Sequence, residues 1–407
     1  MSDLPPDEPA SEDLDLGVAP EHVHPLFGKT DFERWHHPRK QQIRIEQWCA
    51  PVKALIRERG MPAGSTFSYL TLPGDEMLDI RALNGVCADQ NVQLKYLGFN
   101  SVGSGTPRQA ELNLSQSEVR DLPGVNRFST VLEERLEAIS RPESTARRQM
   151  KQFGPFDAIN IDLCGPLTER DIEDNRGSLL GVLGELLDTQ MTTTSPWLLF
   201  ITTMAQPTLI TDRNLSGFQS AIDANVSASP EFAAELAHCI SGSAESLGTR
   251  MEATWSQQDP DFLRLFSAGL GKWLLHLLGQ SAPQRQLSLL SSYYYQVGPD
   301  GPDMLSLVFR CETAPQTVSD QHGILLPGPV AAPVSEVELG IDLARVLQGS
   351  SDLDLLLAEN QELAEKRLKQ AKTLLETARF SADAYEAWGR EELRKKRVAL
   401  GLEQVDA

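Results

Sequence analysis

Three short stretches hold the residue types that chemistry at a ligand would need. Pro73-Gly74-Asp75 follows an apolar run and combines a carboxylate with a glycine, where a ligand can approach the backbone. Asn100-Ser101 follows a second run; its amide can bond a hydroxyl but brings no carboxylate. Asp162 closes a third run, Ala158-Ile159-Asn160-Ile161, and precedes Leu163-Cys164-Gly165-Pro166-Leu167. An acid at the end of a buried strand and before a Gly-Pro turn is placed to orient a substrate or to take its proton. Thr202 and Thr203 close a fourth run. Each stretch also has a plainer reading as turn or capping residues, and Asp75 in particular can cap the helix that follows it.

A different chemistry is suggested between Trp35 and Trp48, where aromatics and amides accompany Arg39, Lys40 and Arg44, the types that contact phosphates and bases. Pro38 suits a first helical turn, and Ile43, Trp48, Val52, Leu55 and Ile56 recur at helical spacing. The spacing predicts an amphipathic basic helix over about 38–59, with its cations opposite its buried face. It is solvated and salt-bridged, or it meets phosphate, or Arg39, Lys40 or Arg44 turns to a ligand. His22-x-His24 and His36-His37 have no acidic or sulfur partner at ligand spacing, so no metal is expected. A phosphate-binding P-loop and a G-x-S-x-G nucleophile motif are both absent. No histidine is placed to activate Cys164, which is expected to be a small buried residue.

The elements that position these residues follow from the apolar runs. Phe67–Leu72, Leu94–Phe99, Ala158–Ile161 and Trp197–Thr203 read as buried parallel strands alternating with helices. Gln286–Gln296 and Met304–Cys311, joined by a Gly-Pro-Asp-Gly-Pro-Asp turn, read as a late hairpin. The fold class is therefore α/β: a doubly wound, mostly parallel sheet with a late antiparallel β-hairpin, a helical insertion over about 214–279 and a helical C-terminal appendage. The expected organisation is a disordered acidic leader over 1–25, a basic helical segment over 26–64, the α/β domain over 65–314, a Pro-rich linker over 315–334 and a helical region over 335–407. The last is read as a surface for packing or for a protein partner.

This ordering resembles the class I S-adenosylmethionine-dependent methyltransferases. Four parallel strands with crossover helices, then a hairpin whose last strand inserts antiparallel, match that family's sheet from about 65 to 312. The resemblance implies S-adenosylmethionine as cofactor, contacted by Pro73, Gly74, Asp75, Asn100, Ser101 and Asp162, with Asp162 also orienting the substrate or acting as base. The sequence departs from the family at two of these places. One glycine, Gly74, stands where the family has a glycine-rich loop, and Asn100 stands where it has an acid for the ribose hydroxyls. The alternative is a catalytically inactive methyltransferase-like scaffold, a binding subunit of a bacterial multi-protein assembly for antiviral defence or nucleic-acid processing.

Composition narrows the classes further. With 57 acidic and 37 basic residues the net charge is −20, so non-specific attraction to nucleic acid or anionic membranes is disfavoured and only the local basic helix is suited to phosphate. No run of eighteen apolar residues is present, so no membrane span is expected. The five cysteines are scattered, with no C-x-x-C pair, which points to a reducing cytoplasm.

Overall fold

A computed structural model describes residues 28–103, 105–168, 178–314 and 334–403. The expected acidic leader lies outside the described residues, as does the expected linker apart from Val334. Eight strands form one sheet: β1 (Thr66–Thr71), β2 (Gln93–Phe99), β3 (Thr130–Leu132), β4 (Ala158–Pro166), β5 (Trp197–Met204), β6 (Arg285–Tyr295), β7 (Met304–Thr313) and β8 (Ser351–Asp352). Their order is β3-β2-β1-β4-β5-β7-β6-β8. β1 to β5 are parallel, β7 lies antiparallel between β5 and β6, and β8 pairs parallel with β6. The α/β class and the inserted antiparallel strand are thus as the sequence predicts. β3 escapes the pattern because three residues are too few to show a period, and β4 continues past Ile161 to Pro166 with a shift of register against β5 after Asp162.

Helices cover both faces. They are α1 (Pro38–Gln42), α2 (Ala50–Glu58), α3 (Leu78–Asp89), α4 (Pro107–Arg120), α5 (Thr145–Phe153), α6 (Leu179–Gln190), α7 (Asp212–Ala228), α8 (Pro230–Cys239), α9 (Leu247–Thr254), α10 (Pro260–Gly279), α11 (Glu336–Gln348), α12 (Leu353–Glu359), α13 (Gln361–Glu376) and α14 (Ala382–Ala399). Alternation along β5 assigns the faces: Leu199 and Ile201 join a core with α5 to α11, whereas Leu198 and Phe200 join one with residues 43–49 and α2 to α4. The expected helical insertion is α7 to α10, which connects β5 to β6. A third cluster, including Leu368, Leu375, Phe380 and Tyr385, lies outside the second face and is built by the C-terminal helices.

That outer layer changes the reading of the basic helix. It starts at Pro38 as predicted, but Arg39, Lys40 and Arg44 are buried, not arrayed toward solvent. Helical periodicity locates one buried face and cannot reveal that α13, more than three hundred residues later, covers the other. Arg367 of α13 donates to Gln42 Oε1 at 2.5 Å and pairs with Glu46, while Tyr385 of α14 donates to the carbonyl of His36 at 2.7 Å. Arg81 of α3 reaches the Thr377 carbonyl at 2.7 Å. Arg39, Lys40 and Arg44 therefore do not form the solvent-facing basic stripe that the periodicity predicts.

Between α1 and α2 the helix widens into a π-helical stretch, Ile43–Cys49, where the Ala50 N–H bonds the Ile45 carbonyl five residues back. The cause is next in sequence: Pro51 has no N–H for the carbonyl of Gln47 and its ring would crowd that group in an α-helix. At the start of the same rod, His37 Nδ1 accepts from the Arg39 N–H at 3.1 Å and caps α1. Burial, helped by the Arg39 charge, lowers the His37 pKa to about 3. Between that value and the unfolded value near 6.5, the unfolded chain binds the proton and the folded one does not, so stability rises with pH. His37 should therefore make the protein lose about 1.4 kcal/mol per pH unit on acidification below 6.5. Urea melts from pH 7 to pH 5 should show this slope, and His37→Asn, which keeps a capping acceptor but cannot titrate, should flatten it.

Candidate functional site

The strand order reverses between β1 and β4: β2 and β3 continue to one side, β5 to the other. In an open α/β sheet the crevice at the carboxyl ends of such strands is where ligands bind. A cavity of about 210 Å³ occupies this place, lined by Gly74 and Asp75 after β1, Asn100 after β2, Asp162 and Cys164 in β4, and Arg44 and Trp48 from the π-helical stretch. A neighbouring cavity of about 290 Å³ shares Trp35, Asp75, Glu76 and Arg108 with it and extends to Phe380. A wider hollow of about 700 Å³ lies between α6, α7 and α10 and contains none of the predicted site residues.

The floor of the crevice is a buried polar network. Asn160 Nδ2 donates to the Tyr69 hydroxyl at 2.9 Å, Tyr69 donates to Asp79 Oδ2 at 3.1 Å, and Thr71 Oγ1 donates to the same oxygen at 2.5 Å. Burial raises the pKa of Asp79, against these hydrogen bonds and with help from the Asp162 charge. Alternation in β1 puts Tyr69 and Thr71 on one side of the strand, and the first turn of α3 brings Asp79 over them. Asp79 was invisible to sequence reasoning because one acid early in a helix looks like a favourable charge for the helix end.

The predicted residues divide into those facing the crevice and those that build its walls. Gly74 faces it: a methyl group there would meet nothing nearer than Glu76 Oε2 at 3.8 Å. Pro73 is a wall, its ring against Gly98 of β2, where an added Cβ would lie 2.9 Å from Pro73 Cγ. Asp75 is not the cap of α3. Met77, at φ 55°, intervenes and the helix starts at Leu78. The Asp75 carboxylate is held instead by Arg108 of α4, at 2.6 and 3.2 Å. The Asn100 amide donates to the Pro73 carbonyl at 2.9 Å and to Asp75 at 3.3 Å and accepts from the Val102 N–H at 3.0 Å, tying the loops after β1 and β2 together. Ser101 points elsewhere, into a shallow depression with Glu134 and Arg135.

On the β4 side, Asp162 Oδ1 accepts from Lys40 Nζ at 2.5 Å. Burial is the largest influence and would lower the Lys40 pKa, but the charge and hydrogen bond of Asp162 together with Tyr295 outweigh it and the net direction is upward. Lys40 also lies 5.3 Å from the Trp48 ring centre, so one cation joins β4 to the π-helical stretch. Cys164 is exposed, not buried, because β4 has left the sheet's covered region by that point. Partial desolvation and the neighbouring Asp162 raise its pKa, the opposite of what a thiolate nucleophile needs. Thr203 fixes the end of β4, accepting from the Leu167 N–H at 2.7 Å and donating to the Gly165 carbonyl at 3.2 Å. Arg39 does not reach the crevice; it pairs with Asp354 at 2.8 Å.

Among the described residues no group of His, Cys, Asp and Glu is arranged to hold a metal, and no described helix is long and apolar enough to cross a membrane. S-adenosylmethionine would bring an ammonium, a sulfonium and a carboxylate. The carboxylates of Asp75, Glu76, Asp79 and Asp162 suit its cations, Arg44 suits its carboxylate, and Gly74 leaves room beside the backbone. Among the described residues the indole N–H of Trp48 and the Nε–H of Arg44 have no partner. The residues present fit such a group in part: Asp75 and Asp162 are already paired with Arg108 and Lys40, and the Asn100 amide is already bonded.

Sheet and crevice together define a doubly wound α/β protein with a crevice at its switch point. The chain belongs to the PP_RS20740-like family, which it matches over residues 29–390. That span runs from before the π-helical stretch into α14, so it takes in the crevice and the C-terminal helices that cover the first helix. No curated protein matches the chain.

Proposed function

We propose that the protein is a divergent S-adenosylmethionine-dependent methyltransferase whose cofactor occupies the crevice between β1, β4 and the π-helical stretch. The observation that carries this reading is the coincidence of that crevice with the reversal of strand order, in a sheet whose antiparallel β7 lies between β5 and β6. The parallel strands followed by a hairpin whose last strand inserts antiparallel are what the methyltransferase resemblance implies. When bound, the cofactor supplies an electrophilic methyl group on a sulfonium. The chain's own residues supply position: Asp162 is held at the strand end by Lys40, Gly74 leaves the approach along β1 open, and the Asp79 network keeps the floor rigid. Much of the rate of such a transfer comes from orientation, which a crevice lined by Trp35 and Trp48 favours.

A second reading, an inactive scaffold within a multi-protein assembly, is favoured by one observation. Asn100 and Asp75, where the family would meet the cofactor, spend their polar atoms on Pro73, Val102 and Arg108. Titration calorimetry with S-adenosylmethionine and S-adenosylhomocysteine separates the two. The enzyme reading expects saturable binding, weakened by Gly74→Ala, which has space in the protein, and abolished by the bulkier Gly74→Val. Absence of binding by both ligands at millimolar concentration would favour the scaffold.

A further inference from the structure

Most buried cations near the crevice are held by carboxylates: Arg39 by Asp354 at 2.8 Å, Lys40 by Asp162 at 2.5 Å and Arg81 by Glu118 at 2.5 Å. Arg44 is different. It is buried, it lines the crevice, and among the described residues its one hydrogen bond runs from Nη2 to the Trp35 carbonyl at 3.1 Å. It makes no ion pair there. Among the described residues its Nε–H has no partner, and neither has the indole N–H of Trp48, a fully buried residue lining the same cavity. A buried guanidinium without a carboxylate is unfavourable in the absence of a compensating group. In the widened π turn, residues four apart come close to one full turn apart, so Arg44 and Trp48 share one side of the stretch.

We propose that Arg44 and Trp48, presented at the crevice by the π-helical stretch, form a receptor for a carboxylate on a small ligand. The surrounding charge selects the class. Asp75, Glu76, Asp79 and Asp162 line the same cavity, so a phosphate dianion would be repelled. A single carboxylate carried beside an ammonium, as in an α-amino acid, meets a cation and several anions at once. The receptor does not depend on methyl transfer; identifying the carboxylate with the amino-acid end of S-adenosylmethionine rests on the proposed function.

The test compares ligands with and without the carboxylate on the full chain. L-Methionine is set against L-methioninamide by saturation-transfer NMR, and S-adenosylhomocysteine against 5′-methylthioadenosine by calorimetry, with wild type, Arg44→Gln and Trp48→Phe. The receptor expects wild type to prefer the carboxylate member of the methionine pair by about tenfold or more, the usual scale of a charge-assisted hydrogen bond. Arg44→Gln should erase that preference and Trp48→Phe should reduce it. The melting temperature of Arg44→Gln should be unchanged or higher, since an unpaired buried charge is removed while an amide remains for the Trp35 carbonyl. Methionine binding without adenosyl-ligand binding would overturn the methyltransferase reading and leave the receptor standing. Adenosyl-ligand binding that ignores Arg44→Gln, an absence of methionine binding, or a fall in melting temperature with the preference intact would overturn the receptor.

Discussion

Asp354→Ala should destabilise the protein by about 3–5 kcal/mol, the cost of stripping a buried charge of its partner. Asp354 is 6% exposed, and its carboxylate accepts from Arg39 Nη1 at 2.8 Å and the Gln296 N–H at 3.1 Å, with Lys396 Nζ at 3.0 Å. Removing it leaves Arg39 buried over the Tyr295 ring, 4.8 Å from its centre, with only the Gln296 carbonyl to satisfy it. The same change releases a contact between α1, the end of β6, α12 and α14, so urea unfolding should also lose cooperativity at the C-terminus. Arg39→Met combined with Asp354→Leu should recover much of the loss, since neither charge is then buried alone. The pH dependence has a defined sign. Burial alone would raise the Asp354 pKa, but Arg39 and Lys396 outweigh it and hold it below the usual carboxylate value. The stabilisation is therefore complete above about pH 4 and is lost as pH falls through the lower, folded-state pKa. A loss in Asp354→Ala below about 1 kcal/mol at pH 7 would show that the contact is not a structural tie.

The second large effect concerns Lys40 and Asp162. With side chains 9% and 24% exposed and 2.5 Å apart, the pair is shielded enough for each single change to leave an uncompensated charge. Lys40→Met and Asp162→Asn should each cost several kcal/mol by the same argument, and the double variant should cost less than their sum. A coupling of about 1–3 kcal/mol in the double-mutant cycle is expected. Under the proposed function the pair also holds Asp162 at the strand end. Lys40→Met should then weaken S-adenosylhomocysteine binding, although Lys40 is not argued to touch the ligand. Additive stability losses and unchanged binding would remove the pair from the site.

Much of the scaffold was legible in the sequence for a physical reason. Strands buried on both faces are nearly unbroken apolar runs, and β1, β2, β4 and β5 each show one. The hairpin was legible from its turn, and the C-terminal helices from composition. What could not be read is how a second layer treats polar residues. The cations of the first helix looked solvated because one helix pattern has no term for α13 and α14, which return from the far end of the chain to cover it. Met77 shows the same limit locally: a left-handed residue after Asp75 delays α3 by a few residues and frees Asp75 to meet Arg108. Pro51, inside a helical run, was the one available sign of the π-helical stretch. Trp48 was legible as an apolar contact; its unpartnered N–H was not.

The central claim is that the crevice between β1, β4 and the π-helical stretch binds S-adenosylmethionine, and hydrogen exchange followed by mass spectrometry with and without S-adenosylhomocysteine tests it by location. The account predicts slower exchange in peptides covering the π-helical stretch, the turn after β1 and the end of β4, with the large hollow between α6, α7 and α10 unaffected. Unchanged exchange throughout at saturating ligand, or protection confined to that hollow, would contradict it.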